Sequence, residues 1–288
     1  MIIDGKKFAQ KLKNKIKKEV QSIKNKTKLT PGLAVIFVGH HTPSEIYVRK
    51  KQISAKEVGI NFKVLRFKNS VTEKKLILGI QKFNKDKKIH GILVQLPLPN
   101  HINNQKIIGK IDPRKDVDGF HPINVGNLSS GKDALVPCTP LGCYLMIKSV
   151  RKNLAGLSAL IIGRSNLNGK PMAQLLLKED CTVTIGHSKT KNLKALCKKA
   201  DIVVAAVGRA NLVKGDWIKK GAIVIDVGIN RVEKKKGYKI VGDVEFKSVV
   251  KKVRAITPVP GGVGPVTIAC LLSNTLKAFK SINSLLSK

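Results

Sequence analysis

Acidic side chains are scarce in this chain: 18 Asp and Glu stand against 55 Lys and Arg, a formal net charge of +37 over 288 residues. Aromatic residues make up only 4%, with a single tryptophan. Proteins that read nucleic acid gather positive charge on one face and interleave stacking rings, so scattered lysines with few rings argue against a specific nucleic-acid partner. The excess is read instead as lysine at tolerant, solvated positions, with a general attraction for anionic ligands as its consequence. No apolar run approaches the roughly 18 residues that span a bilayer, and Met1-Ile2-Ile3-Asp4-Gly5-Lys6-Lys7 lacks the apolar block of an export signal. A cytoplasmic protein with no membrane partner is expected. Cys138, Cys143, Cys181, Cys197 and Cys270 form no Cys-x-x-Cys pair and no zinc spacing with histidine. Reduced structural thiols and no metal site follow.

What the chain does contain is a long alternation of helix and strand patterns, which predicts an α/β protein with parallel sheets. Phe8, Leu12, Ile16, Val20 and Ile23 form one apolar stripe on a helix that must stop by Pro31. Strands are expected at 33–39, 62–65 and 91–96, with helices at about 44–57 and 73–83 between them. The second half repeats the rhythm, with strands at 159–162, 181–185, 202–207 and 222–227 and helical segments at 172–177 and 191–199. That half is Rossmann-like. A last helix, from about Val263 to Leu286, is long enough to return to the first half. The length suits two domains, drawn at 1–136 plus 266–288 and at 137–265.

Four places carry candidate chemistry. Pro258 to Pro265 packs three prolines and three glycines into eight residues, a rigid loop of little bulk that can press its backbone against a flat ligand. Gly163-x-Ser165-x-x-x-Gly169 follows a strand and opens a helix, where free N–H groups and a positive dipole end suit a pyrophosphate. It is not the usual G-x-G-x-x-G, so a plain strand-to-helix turn stays open. Arg164, together with Ser188 after the next strand, suits a ribose 2′-phosphate, which favours NADP over NAD. Tyr47 and Lys51 lie four apart on one helical face, a pairing that equally fits a surface lysine beside a half-buried tyrosine. Short-chain dehydrogenases carry such a pair after their glycine motif, whereas here it precedes Gly163. Gln95 at a strand end and Asp118 in a polar loop occupy positions where open sheets bind ligands, or where capping residues sit.

Taken together, Ser44-x-x-Tyr47-x-x-x-Lys51, Gly91 to Pro99, Lys115-Asp116-Val117-Asp118-Gly119-Phe120, Pro137-Cys138-Thr139-Pro140, Asp226 to Asn230 and the Pro-Gly loop resemble the bifunctional methylenetetrahydrofolate dehydrogenase/cyclohydrolases over nearly the whole chain. The resemblance implies a folate-binding catalytic domain and a Rossmann-like NADP-binding domain with the last helix packing back on the first. It implies NADP-dependent oxidation of 5,10-methylenetetrahydrofolate to the methenyl cation, then hydrolysis to 10-formyltetrahydrofolate. By the same resemblance Lys51 is the catalytic lysine, Gln95 bonds it, Tyr47 stacks on or orients the folate, and Asp118 holds the pterin. Pro97, Pro260, Gly261 and Gly262 line the folate cleft, while Gly163, Arg164, Ser165, Ser188 and Ile229 contact NADP. It further implies a homodimer paired through the nucleotide domains and tetrahydrofolate substrates with or without polyglutamate tails. Leu167-Asn168 and Val266 depart from the family pattern beside these positions. Two rival readings are a monofunctional NAD-dependent dehydrogenase of the same fold and a basic nucleic-acid binder.

Overall fold

The computed structural model describes residues 1–233 and 237–285 and forms two compact units, one of Lys11–Cys138 with the chain from Ile268 onward, the other of Met1–Gln10 with Thr139–Thr267. Along the first half run α1 (Gly5–Thr27), β1 (Gly32–Val38), α2 (Thr42–Glu57), β2 (Asn61–Phe67), α3 (Glu73–Lys85), β3 (Gly91–Val94), α4 (Asn104–Ile108) and α5 (Pro122–Ser129). The expected stripe on α1 is buried at Ile16 and Val20, and the helix ends where Lys28 turns left-handed, ahead of Pro31. Thr72 starts α3 by accepting the Lys75 N–H on its hydroxyl, which satisfies one orphan donor of the first turn. All seven residues of β1 are buried. Such a run belongs at the centre of a parallel sheet covered on both faces, and β1 lies between β2 and β3, parallel to both. Leu76 and Ile80 of α3, Ile92 and Ile107 close the core on one side, each such side chain contributing about 1.5–3 kcal/mol on burial.

The other unit contains α6 (Cys138–Val150), β4 (Ser158–Ile162), α7 (Gly169–Leu177), β5 (Thr182–Gly186), α8 (Leu193–Lys199), β6 (Ile202–Ala205), β7 (Ile223–Asp226), β8 (Asn230–Glu233), β9 (Tyr238–Val241), α9 (Phe246–Val249) and β10 (Ala255–Ile256). Its main sheet has the order β10-β7-β6-β4-β5, with every neighbouring pair parallel. The chain leaves β4 for β5 on one side and returns as β6 on the other, so the order reverses at β4. Ligands of open α/β sheets bind beyond the carboxyl ends of strands at such a reversal, and Gly163 stands there. Ile2 pairs with Ile256 at the opposite edge, which draws the first ten residues into this unit, where the sequence division kept them with the first domain. The last helix, α10 (Val263–Ile282), stops short of the expected Leu286, which lies outside the described residues. From Ile268 on it packs within the Lys11–Cys138 unit, where Phe279 meets the His90 ring edge-on at 4.7 Å.

Several boundaries moved for local reasons. β3 ends at Val94, two residues before the expected end, leaving Gln95 and Leu96 beyond the strand and the Leu96-Pro97 peptide cis. Helix α7 contains the helical segment expected at 172–177 and begins earlier, at Gly169, because Pro171 falls in its first turn, where a missing N–H costs nothing. Neither α6 nor the antiparallel β8-β9 pair was anticipated. Among the described residues no helix is long and apolar enough to cross a membrane.

Candidate active site and nucleotide site

Helix α2 turns Ser44, Val48, Lys51 and Ala55 inward, a stripe at helical spacing with a lysine at an interior position. Lys51 is only 9% exposed. Its Nζ donates to Gln95 Oε1 at 2.9 Å, and Gln95 Nε2 donates to the Leu96 carbonyl at 2.8 Å, which fixes the amide so that its oxygen faces the amine. Burial lowers the Lys51 pKa below the ordinary lysine value, with the carboxylate of Asp118 and the thiol of Cys138 pulling it partly back. Tyr47 lies one turn earlier on the same helix, half-buried, and burial raises its phenol above the usual value. Pro97 follows Gln95 and Leu96 and is exposed.

Asp118 rides on a loop whose other members hold it in place. Lys115, a residue the sequence reading passed over, inserts its ammonium among three carbonyls, Phe83 at 3.2 Å, Asn84 at 2.8 Å and Asp86 at 2.9 Å. These close the C-terminal end of α3, where a cation is favoured by the helix dipole. Asp116, 1% exposed, accepts from the His121 N–H at 2.8 Å and from Asn124 Nδ2 at 3.0 Å; burial pushes its pKa up to about 6. Cys138 Sγ bonds the Val117 carbonyl at 3.2 Å and reaches Asp118 Oδ1 at 3.7 Å. Asn274 of α10 donates to the Val117 and Val136 carbonyls, both at 2.8 Å. Desolvation raises the Asp118 pKa, opposed by Lys51 and the Cys138 thiol. A buried amine of lowered pKa, an oriented amide and a nearby carboxylate are an arrangement able to exchange protons.

In the Thr139–Thr267 unit the candidate nucleotide residues collect beyond the carboxyl ends of parallel strands. Gly163, Arg164 and Ser165 follow β4, Ser188 follows β5 and Ile229 follows β7. Gly163 has φ +127°, and a Cβ on Gly169 would lie 2.0 Å from the Gly163 carbonyl oxygen, so only glycine lets α7 start this close to the turn. Ser165 Oγ accepts from the Asn168 N–H at 3.1 Å, which tightens the turn. Asn168, a departure from the family pattern, precedes α7 without a side-chain cap; the Lys170 N–H is taken by the Ser165 carbonyl at 3.1 Å and Pro171 carries none, so the exposed Arg164 and Ser188 are the main polar groups offered at this helix start. Turn, helix start, cation and hydroxyl fit a phosphorylated dinucleotide. A small hollow opens here, lined by Thr139, Asn168, Gly169 and Val227 among others. Ile229 stands 56% exposed, an apolar side chain available to a planar ring.

Pro260, Gly261 and Gly262 belong to this unit, whereas Lys51, Gln95 and Asp118 belong to the other. The Val259-Pro260 peptide is cis and Gly261 has φ +101°. Val266 is fully buried and packs toward Gly142, so this second departure from the family pattern is a matter of interior packing.

Comparison with known proteins gives this geometry a family. Residues 3–118 match the tetrahydrofolate dehydrogenase/cyclohydrolase catalytic domain, and residues 137–283 match the NAD(P)-binding domain of the same family. The bifunctional protein FolD of Pelagibacter ubique is 62% identical over 280 residues, covering 97% of this chain and 98% of its own length. The bifunctional FolD enzyme of Campylobacter jejuni superposes with a TM-score of 0.94 at 46% identity, over 98% of this chain and 99% of that one. A FolD from Trypanosoma brucei, solved with NADP cofactor and an inhibitor, also reaches 0.94, at 38% identity, over 100% of this chain and 99% of its own. With both domain matches in order along the sequence and relatives aligned nearly end to end, the chain belongs to the tetrahydrofolate dehydrogenase/cyclohydrolase family.

Proposed function

We propose that this protein oxidises 5,10-methylenetetrahydrofolate to 5,10-methenyltetrahydrofolate with NADP and hydrolyses the product to 10-formyltetrahydrofolate. The observation that carries this reading is the buried Lys51 amine, oriented by Gln95 and moderated by Asp118. NADP, when bound, supplies the hydride acceptor, held by Gly163, Arg164, Ser165, Ser188 and Ile229. Loss of hydride leaves a positive methenyl carbon, next to which a charged ammonium would be unfavourable, so an amine with a lowered pKa serves both steps. In hydrolysis, water adds to the methenyl carbon and gives one proton to the amine; the adduct's hydroxyl then loses its proton as the formyl C=O forms, the bond from that carbon to N5 breaks and N5 takes up a proton, so that one proton is released overall. Gln95 accepts one amine hydrogen and leaves the nitrogen lone pair for this exchange. Asp118 accepts from the donor edge of the pterin, and Tyr47 packs on or orients the ring. Pro97, Pro260, Gly261 and Gly262 give the folate site its backbone walls. A homodimer paired through the nucleotide-binding unit, tetrahydrofolate substrates with or without polyglutamate tails, and a cytoplasmic setting complete the reading.

The decisive test follows absorbance of the purified protein with methylenetetrahydrofolate and either NADP or NAD, and separately with the methenyl derivative alone. Reduced nucleotide should form chiefly from NADP, and the methenyl compound should be consumed with no nucleotide present. Failure of both sinks the proposal.

Two variants test its parts. Arg164→Ala removes a charge-assisted partner of the 2′-phosphate, about 1.5–3 kcal/mol, so the KM for NADP should rise roughly 10–100-fold while that for NAD barely changes. Equal effects on both nucleotides would remove Arg164 from that role. Asp118→Asn takes away a negative charge that raises the Lys51 pKa. The neutral amine is the active form, so hydrolysis increases as pH rises through that pKa. With the carboxylate gone the pKa falls further and the rising limb, measured at saturating substrate, moves to lower pH. A limb that stays put, or moves to higher pH, contradicts the assignment.

A further inference from the structure

Two carboxylates that the proposed chemistry does not use lie beneath the nucleotide loops. Asp226 closes β7 and Asp243 follows β9; they are 3% and 0% exposed. Asp243 Oδ2 accepts the Val207 and Gly208 N–H groups at 2.7 and 3.0 Å, and Oδ1 accepts the Arg209 N–H and Asn230 Nδ2, both at 2.9 Å. Asp226 Oδ1 accepts the Gly228 N–H at 3.0 Å and the Asp243 N–H at 2.8 Å, while Oδ2 takes the Val244 N–H at 2.9 Å. The loops after β6 and β7, neighbouring parallel strands, are therefore tied to one another through buried charge. Between the two anchored residues Gly228 and Asn230 stands Ile229, exposed, and a Cβ on Gly228 would lie 2.2 Å from Asp243 Oδ1, so the carboxylate requires glycine there.

Burying two carboxylates a backbone link apart is costly unless each is fully hydrogen-bonded, and a plain loop has no need of it. We infer that Asp243 is a positioning residue for the nicotinamide cofactor: it fixes the loop at 207–209 and, through Asn230, sets Ile229 at the ligand-binding edge. This rests on the NADP reading above. Asp243 touches no cofactor itself; it determines where Ile229 and the 207–209 backbone stand.

The experiment compares Asp243→Asn and Asn230→Ala with the wild type, by titration of NADP against protein fluorescence and by both activities. Asparagine keeps the shape but turns one accepting oxygen into a donor that faces N–H groups, so NADP affinity should fall about tenfold or more, since small misplacements of binding groups are costly. Asn230→Ala, which removes one donor and leaves the carboxylate, should give a smaller loss in the same direction. Hydrolysis of the methenyl derivative without nucleotide serves as the internal control and should stay within about twofold. A wild type that binds NADP alongside variants that bind it equally well overturns the inference alone. Parallel loss of both activities in both variants also overturns it, because it marks a purely structural role. A wild type that binds no NADP overturns the cofactor reading and this inference with it.

Discussion

Lys51→Met is expected to leave hydride transfer measurable while slowing hydrolysis of methenyltetrahydrofolate by about 10²–10⁴-fold, the usual worth of a positioned proton-transfer group. Methionine nearly matches the aliphatic stem in length, and the site is already desolvated, so packing on the inner face of α2 should survive. Gln95 would lose its partner at 2.9 Å but keep the bond to the Leu96 carbonyl that fixes its plane. The loss is thus confined to the amine. Decay of methenyl absorbance in the absence of nucleotide measures it directly, with nucleotide reduction as the companion assay. Hydrolysis at the wild-type rate would show that another group moves the proton.

The second large effect concerns stability. Lys115→Met should lower the unfolding free energy by about 3–5 kcal/mol, measured by urea denaturation. Lys115 is 6% exposed, and its three hydrogen bonds to the carbonyls of Phe83, Asn84 and Asp86 are charge-assisted, each worth roughly 1.5–3 kcal/mol and not additive. Removing the cation takes its donor from the Phe83 and Asn84 carbonyls and leaves the Asp86 carbonyl with the Ile89 N–H at 3.1 Å, and it loosens the segment that carries Asp118. Desolvation lowers the Lys115 pKa, and the carboxylates of Asp112 and Asp86 partly restore it. Those carboxylates are what make the buried ammonium tolerable. A change below about 1 kcal/mol would mean that water replaces the lysine at no cost.

Lys115 also shows where sequence reading stops. In Lys115-Asp116-Val117-Asp118 the eye takes a polar, solvated loop with one useful carboxylate. Three of the four residues are in fact buried; Lys115 spends its charge on carbonyls distant in sequence, and Asp116 on the His121 N–H and the Asn124 amide. Nothing in local spacing announces a bond to a carbonyl some thirty residues away. The buried parallel strands were legible because a fully covered strand must be apolar throughout, and β1 is. Tyr47 and Lys51 were legible as a pair, since a helix fixes positions four apart. The stronger signal on α2 was missed: Ser44, Val48, Lys51 and Ala55 recur at core spacing, which places a lysine where an apolar residue belongs. Helix α6 went unread because Pro137-Cys138-Thr139-Pro140 looks like a loop, although a proline in the first turn is compatible with a helix start. The β8-β9 pair is short and partly exposed, and alternation that weak gives no periodic signal. Asp226 and Asp243 were hidden for another reason: apart from Asn230 Nδ2, the partners named for them are main-chain N–H groups, which every sequence possesses.

All five cysteines lie buried as thiols, and burial raises Cys197 to about 11, Cys270 to about 12 and Cys138 well above its ordinary value. Alkylating reagents attack the thiolate, so each sulfur stays silent until its surroundings open. Because Cys143, Cys181 and Cys197 fall in one compact unit and Cys138 and Cys270 in the other, the molecule carries its own set of unfolding reporters. The order in which its peptides gain the mass of an alkylating tag would tell which half lets go first.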